Sequence, residues 1–112
     1  MASLDRIFDL LSEEQRRYAL YYLDRHGGPV SVDELAVHVA EWQSDPGSVS
    51  IPDDTFDRIE IDLLHVDLPK AADAPFVQYN QEERTVELTG PAPKFNAVIS
   101  VAKVIERPNR EP

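Results

Sequence analysis

Apolar residues change their spacing along this chain of 112 residues, and that change most constrains the fold. Between residues 4 and 68 they recur every three to four positions, which is typical of amphipathic helices. Between residues 77 and 88 they alternate with polar residues, which indicates strands. From residue 94 to residue 106 the helical spacing returns. The sequence therefore predicts a mainly helical α+β protein with one hairpin and a last helix.

Capping residues and turn formers divide the first helical part. Ser3 is a candidate N-cap for a helix over residues 3–11. Ser12, with Gln15 three positions on, has the pattern of a capping box and predicts that a second helix begins there. The Gly-Gly-Pro run at residues 27–29 ends that helix, because glycine adopts the left-handed C-cap conformation and proline cannot continue a helix.

A short extended segment, residues 30–32, comes next. Within it Ser31 forms a second predicted capping box with Glu34, so another helix should follow. Residues 43–52 are rich in turn formers and are predicted to be a loop.

A further helix is predicted from Asp53 to about Leu68, where Pro69 should break or kink it. Its expected buried residues are Phe56, Ile59, Leu63, Leu64, Val66 and Leu68. Its expected outward residues are Asp54, Asp57, Arg58, Ile61, Asp62 and His65.

The order of these elements matches that of a winged helix-turn-helix domain. Strands around a polar tip at residues 81–84 form the hairpin, or wing, and the extended segment at residues 30–32 completes a small antiparallel sheet. The helix from Asp53 would be the recognition helix. We expect a domain over residues 1–90, an appended C-terminal helix over 91–106, and a flexible tail over 107–112.

The charge balance is strongly acidic. Eleven Lys and Arg residues stand against twenty-one Asp and Glu, a net charge of −10, and arginines outnumber lysines eight to three. An Asp-rich, Lys-poor surface favours a halophilic protein over an ordinary acidic one, because molar salt screens the self-repulsion. The chain has no cysteine, which excludes disulfides and thiolate chemistry. Without a membrane-length apolar run or a signal peptide, we expect a cytoplasmic protein with no membrane partner.

Several short segments, taken together, resemble a widespread haloarchaeal winged-helix family. They are Leu11-Ser12, the run Arg-Arg-Tyr-Ala-Leu-Tyr-Tyr-Leu at 16–23, and residues 27–30, 34–36, 65–70, 72–74 and 77–79. Most members are domains of unknown function regarded as transcriptional regulators, so the resemblance, over residues 10–89, implies a winged helix that binds DNA. The chain departs from the family pattern at Ala71 and Pro75, where Leu and Gly are usual, and in its more acidic recognition helix.

Enzymatic chemistry has little support in the sequence. The three histidines are scattered, and Glu34 and His38, one helical turn apart, have no evident third partner for a metal. No phosphate-binding glycine loop or nucleophile elbow is present. We therefore expect no catalytic residues, no metal and no cofactor.

Duplex DNA is the expected partner. On the recognition helix, Arg58 and His65 are the candidates for contacts to base edges or phosphates. Arg58 also lies four residues from both Asp54 and Asp62, so intrahelical ion pairs are expected. Further candidate phosphate contacts are Arg16, Arg17, Lys70, Arg84 and Lys94.

The last helix carries an apolar stripe that either closes the domain's own core or pairs with a second copy in a homodimer. Its candidate interface residues are Phe95, Val98, Ile99, Ala102 and Ile105. The sequence thus predicts a dimeric transcription regulator. The alternative is a protein-interaction module that keeps the fold without binding DNA and docks partners on the Asp-rich helix.

Overall fold

Six α-helices and three short strands make up most of the described part of the chain, residues 3–44, 51–90 and 92–106 of a computed structural model. Part of the predicted loop (45–50) and the predicted tail (107–112) lie outside these residues. In chain order the elements are α1 (Leu4–Leu10), α2 (Glu14–His26), β1 (Val30–Ser31), α3 (Val32–Gln43), α4 (Asp53–Asp62), a π-helical turn (Leu63–Asp67), α5 (Leu68–Ala71), β2 (Val77–Asn80), β3 (Thr85–Leu88) and α6 (Pro93–Glu106). The predicted α+β class is confirmed.

Two of the predicted N-caps are confirmed. The Ser3 hydroxyl accepts a hydrogen bond from the Arg6 amide at 3.1 Å and begins α1. The Ser31 hydroxyl accepts from the Glu34 amide, also at 3.1 Å, and begins α3. Each bond satisfies an amide that has no partner within its helix.

The capping box predicted at Ser12 is wrong. Helix α2 begins at Glu14, and its N-cap position makes no side-chain hydrogen bond. The Ser12 hydroxyl instead donates to the Asp9 carbonyl at 2.7 Å, so it belongs to the end of α1. Gln15 reaches across the fold and donates to Asp67 at 2.9 Å.

Glycine ends α2 as predicted. Gly27 follows its last residue with a φ of 68°, and Gly28 has a φ of 90°. These left-handed values strain any residue that carries a Cβ atom, so the turn into β1 depends on glycine.

The helical path that begins at Asp53 continues past Pro69, which the sequence predicted would break or kink it. Pro69 lies in the first turn of α5. Proline has no amide hydrogen, so the helical path passes through Pro69 without a backbone hydrogen bond donated from that position. The path ends at Ala71.

The π-helical turn also changes which residues face inward. Ile59, Leu63 and Leu68 are buried as predicted, but Val66 is 56% exposed and Asp67 is 5% exposed. The prediction for Val66 is wrong because a π-helical turn holds more residues than an α-helical turn. The extra residue breaks the three-to-four spacing and brings Asp67 inward instead.

The three strands form an antiparallel sheet in the order β1-β3-β2. Val86 of β3 is paired with Val30 on one side and with Tyr79 on the other. The predicted hairpin is confirmed, and residues 81–84 form its tip. Arg84 has a φ of 54°, and its carbonyl accepts from the Val32 amide at 2.9 Å, which ties the hairpin to the start of α3.

Helix α6 contributes to the same hydrophobic core as the helices that precede it. Phe95 and Ile99 are fully buried, and the Phe95 ring stacks on Phe76 with 4.3 Å between ring centroids. Helix α6 also contacts α1. Within the described residues, no helix combines the length and the hydropathy needed to cross a membrane.

Candidate nucleic-acid interface

The outward face of α4 and of the π-helical turn holds the predicted recognition residues. Arg58 and His65 are exposed, and so are Asp54 and Asp57. The intrahelical ion pairs expected for Arg58 are not formed. Among residues 3–44, 51–90 and 92–106, this arginine takes part in no salt bridge. Its guanidinium therefore points to solvent within an otherwise acidic surface.

The hairpin tip presents Arg84 to solvent. The Glu83 amide donates to the Asn80 side-chain oxygen at 3.0 Å, which holds the tip in a turn. An open groove of about 860 Å³ separates the hairpin from Pro69 and the residues that follow it. The end of the α4–α5 helical path and the hairpin therefore share one concave surface. The charged residues that line it are glutamates 82, 83 and 87, so the groove is acidic.

Two predicted phosphate contacts are accessible to different degrees. Lys94 is exposed near the start of α6 and makes no ion pair within the described part of the chain. The Lys70 amine lies 3.1 Å from a carboxylate oxygen of Asp9, with both side chains substantially exposed. Exposed pairs of this kind contribute only about 0–1 kcal/mol, so a phosphate could replace Asp9.

Arg16 is buried, and its predicted role as a phosphate contact is wrong. Its side chain is 3% exposed, and it donates to the carbonyls of Leu10 at 2.7 Å and Asp9 at 2.9 Å. It also lies 3.4 Å from Asp67. Burial raises the pKa of Asp67, while hydrogen bonds from Gln15 and the charge of Arg16 act in the opposite direction. Arg16 is thus the counter-charge that a buried carboxylate requires.

Arg17 is also occupied within the fold. It donates to both carboxylate oxygens of Glu106 at 2.7 Å and to the Leu11 carbonyl at 2.7 Å. The hydroxyl of Tyr21 donates to Glu106 at 2.9 Å. The hydrogen bonds from Arg17 lower the pKa of Glu106 more than burial raises it. This cluster joins α2 to the end of α6, so the structure contradicts the expected phosphate contact of Arg17.

The sequence contained a signal that separates Arg16 from a surface arginine. Ala19, Leu20 and Leu23 follow it at three, four and seven positions, so Arg16 lies on the apolar face of α2. A cation in that position needs a buried acceptor. Asp67 is the functional partner that the sequence pattern missed, since the π-helical turn that brings it inward has no clear local signature.

The predicted interface residues of α6 fall into two groups. Phe95 and Ile99 are 1% and 0% exposed within a single chain, so their assignment to a dimer interface is wrong. Val98 and Ala102 are partly buried against the same core. Ile105 alone of the five is strongly exposed, at 79%.

A comparison with known families gives a match over the part of the chain that contains α4 and the hairpin. The profile of DUF7344, a domain of unknown function, matches residues 8–87. The chain belongs to this family. The DUF7344 region extends from α1 into β3 and leaves α6 entirely outside. Membership of a family of domains of unknown function was expected over nearly the same residues. Neither a curated protein nor a solved structure matches the chain.

Proposed function

We propose that this DUF7344 protein is a winged helix-turn-helix transcription regulator that binds duplex DNA in a cytoplasm of high salt. The main support is the order of the elements, in which the helical path that begins at Asp53 is followed by the hairpin, together with an exposed arginine on each, Arg58 and Arg84. The sheet order β1-β3-β2, with the hairpin following the helical path from α4 to α5, agrees with a wing beside a recognition helix.

In this proposal α4 enters the major groove. Arg58 on its outward face, and His65 in the π-helical turn that follows, donate hydrogen bonds to base edges or phosphates. Arg84 contacts the DNA backbone from the hairpin tip, and Lys94 and Lys70 contribute further phosphate contacts. Arg16 and Arg17 take no part, because their guanidinium groups are bound within the fold.

Acidic residues on the same surface give the proposal a distinctive salt dependence. Asp54, Asp57 and the glutamates of the hairpin repel phosphates when salt is dilute. At 1 M salt the Debye length is about 3 Å, so only groups in direct contact interact. For a basic protein, added salt weakens DNA binding through the loss of counterion release. For this protein we expect binding at about 2 M KCl to be at least as tight as at about 0.2 M.

Fluorescence anisotropy with labelled genomic DNA fragments, at both salt concentrations, tests the proposal. The double variant Arg58→Ala, Arg84→Ala should lose about ten-fold or more in affinity, since a good base contact is worth about 1–3 kcal/mol. The matched control is Arg6→Ala, Arg25→Ala, which removes the same charge from α1 and α2. The proposal would be refuted if the protein did not bind DNA at either of the two salt concentrations, or if both double variants lost the same affinity.

A second candidate function is a protein-interaction module without DNA binding. It is favoured by two aliphatic side chains, Ile61 and Val66, which are 55% and 56% exposed on the acidic face. Acidic and apolar groups together suit a basic amphipathic segment of another protein. Under this alternative, a pull-down at high salt recovers a stoichiometric protein and no nucleic acid, and Ile61→Gln with Val66→Gln abolishes the capture.

A further inference from the structure

We propose that the exposed face of α6, together with that of α1, is a self-association surface whose occupant is a second copy of this chain. The inference does not depend on DNA binding. Helix α6, which supplies most of the surface, lies outside the DUF7344 region. It also replaces most of the stripe expected from the sequence, because Phe95 and Ile99 belong to the chain's own core.

Three aliphatic residues form the centre of this surface. Val101, Val104 and Ile105 are 59%, 67% and 79% exposed. Their spacing of three and four positions places them on one face of the helix. Helix α1, which contacts α6, carries two further exposed apolar residues, Leu4 at 47% and Phe8 at 54%. These two are also one helical turn apart.

Two charged side chains of α6 are held in ion pairs within the chain, whereas Lys94 is exposed near the start of the helix. The Lys103 amine lies 2.5 Å from Asp24 of α2, and Glu106 is bound by Arg17 of the same helix. The segment from Phe95 to Ala102 contains no charged residue. In a chain with a net charge of −10, the middle of α6 therefore brings no carboxylate of its own to an interface.

The size of the surface suits a small dimer interface. With these exposed fractions, the three α6 residues present roughly 300 Å² to solvent, and adding Leu4 and Phe8 gives roughly 500 Å². Two copies would then bury about 1,000 Å² in total, near the lower limit for specific interfaces. A two-fold dimer gives this total area, since each copy contributes the same patch.

Salt should strengthen the association. Screening reduces the repulsion between two acidic chains, while burial of aliphatic groups is not screened. Sedimentation velocity at about 2 M KCl, over a wide range of protein concentrations, should therefore show a monomer–dimer equilibrium that shifts toward monomer at about 0.2 M KCl.

The variant that tests the surface is Val104→Gln with Ile105→Gln. It should raise the dimer dissociation constant about ten-fold or more, as expected when central apolar contacts are lost. The matched control is Ile61→Gln with Val66→Gln, which removes two comparably exposed aliphatic groups from the α4 face and should leave the constant unchanged. A wild-type monomer at every concentration, or equal weakening by both pairs, overturns the proposal.

A second measurement does not depend on weakening the dimer. The chain has no cysteine, so Ser100→Cys on α6 and Arg84→Cys at the hairpin tip each accept a single spin label. The distance between labels on two copies should be shorter for Ser100 than for Arg84. The reverse order would place the interface elsewhere and would overturn the proposal.

Discussion

Replacing Arg16 with methionine should lower the free energy of unfolding by about 3–5 kcal/mol, the usual cost of removing one partner from a buried ion pair. A surface arginine used for DNA binding would cost almost nothing when replaced. The variant therefore separates the structural role of Arg16 from the phosphate contact that the sequence predicted.

The magnitude follows from the groups that lose their donor. Leu10 is buried, so its carbonyl, 2.7 Å from Arg16, loses a hydrogen bond that water cannot readily replace, which costs about 1–3 kcal/mol. Asp67 keeps only the hydrogen bond from Gln15 and remains a buried carboxylate without a counter-charge. Asp67→Asn should cost less, about 1–2 kcal/mol, because Arg16 keeps both backbone acceptors and the neutral amide is easier to bury.

Urea denaturation monitored by the fluorescence of Trp42, the only tryptophan, measures both effects. Arg6→Met is the control, because Arg6 pairs with Asp73 at the surface and such a pair is worth about 0–1 kcal/mol. An Arg16→Met loss below about 0.5 kcal/mol, or a larger loss for Asp67→Asn, would refute the reasoning.

Two further predictions concern α6. In dilute, monomeric protein, Phe95→Ala should lower the free energy of unfolding by about 3–5 kcal/mol and Ile105→Ala by no more than about 0.5 kcal/mol. The reason is that only Phe95 lies in the core. Comparable losses for the two variants in urea denaturation would contradict this prediction. The folded pKa of Glu106 is below its unfolded value, so its pairing with Arg17 stabilises the protein above the usual glutamate pKa. That stabilisation should disappear as the pH falls through the lowered pKa. Urea denaturation of wild type and Glu106→Gln should accordingly converge in acid, and a difference that is constant with pH would argue against the linkage.

Local signals in the sequence predicted most of the secondary structure. Ser3, Ser31 and Gly27 act on backbone groups within four residues, so their effect needs no knowledge of the rest of the fold. The alternation of residues 77–88 likewise predicts a hairpin, because both strands and their turn are adjacent in the chain.

The sequence predicted which basic residues are exposed on α4 and the hairpin, but not which basic residues of α2 are bound within the fold. Arg58, His65 and Arg84 are exposed where the helical and strand periodicities place them. Arg16 and Arg17 lie next to each other in a helix. The apolar face of α2 indicates that Arg16 is buried, but no local pattern identifies Asp67 or Glu106 as the acceptors.

The sequence by itself thus determined which segments are helical and which are extended, and the ends at Ser3, Gly27 and Ser31, because capping, glycine conformation and apolar spacing act over a few residues. The tertiary structure alone decided which side chains remain at the surface. Arg16 pairs with Asp67, 51 positions away, and Arg17 with Glu106, 89 positions away. These pairings, together with the π-helical turn that exposes Val66, arise only when the elements pack against one another, since burial is a property of the packed elements and not of any one of them.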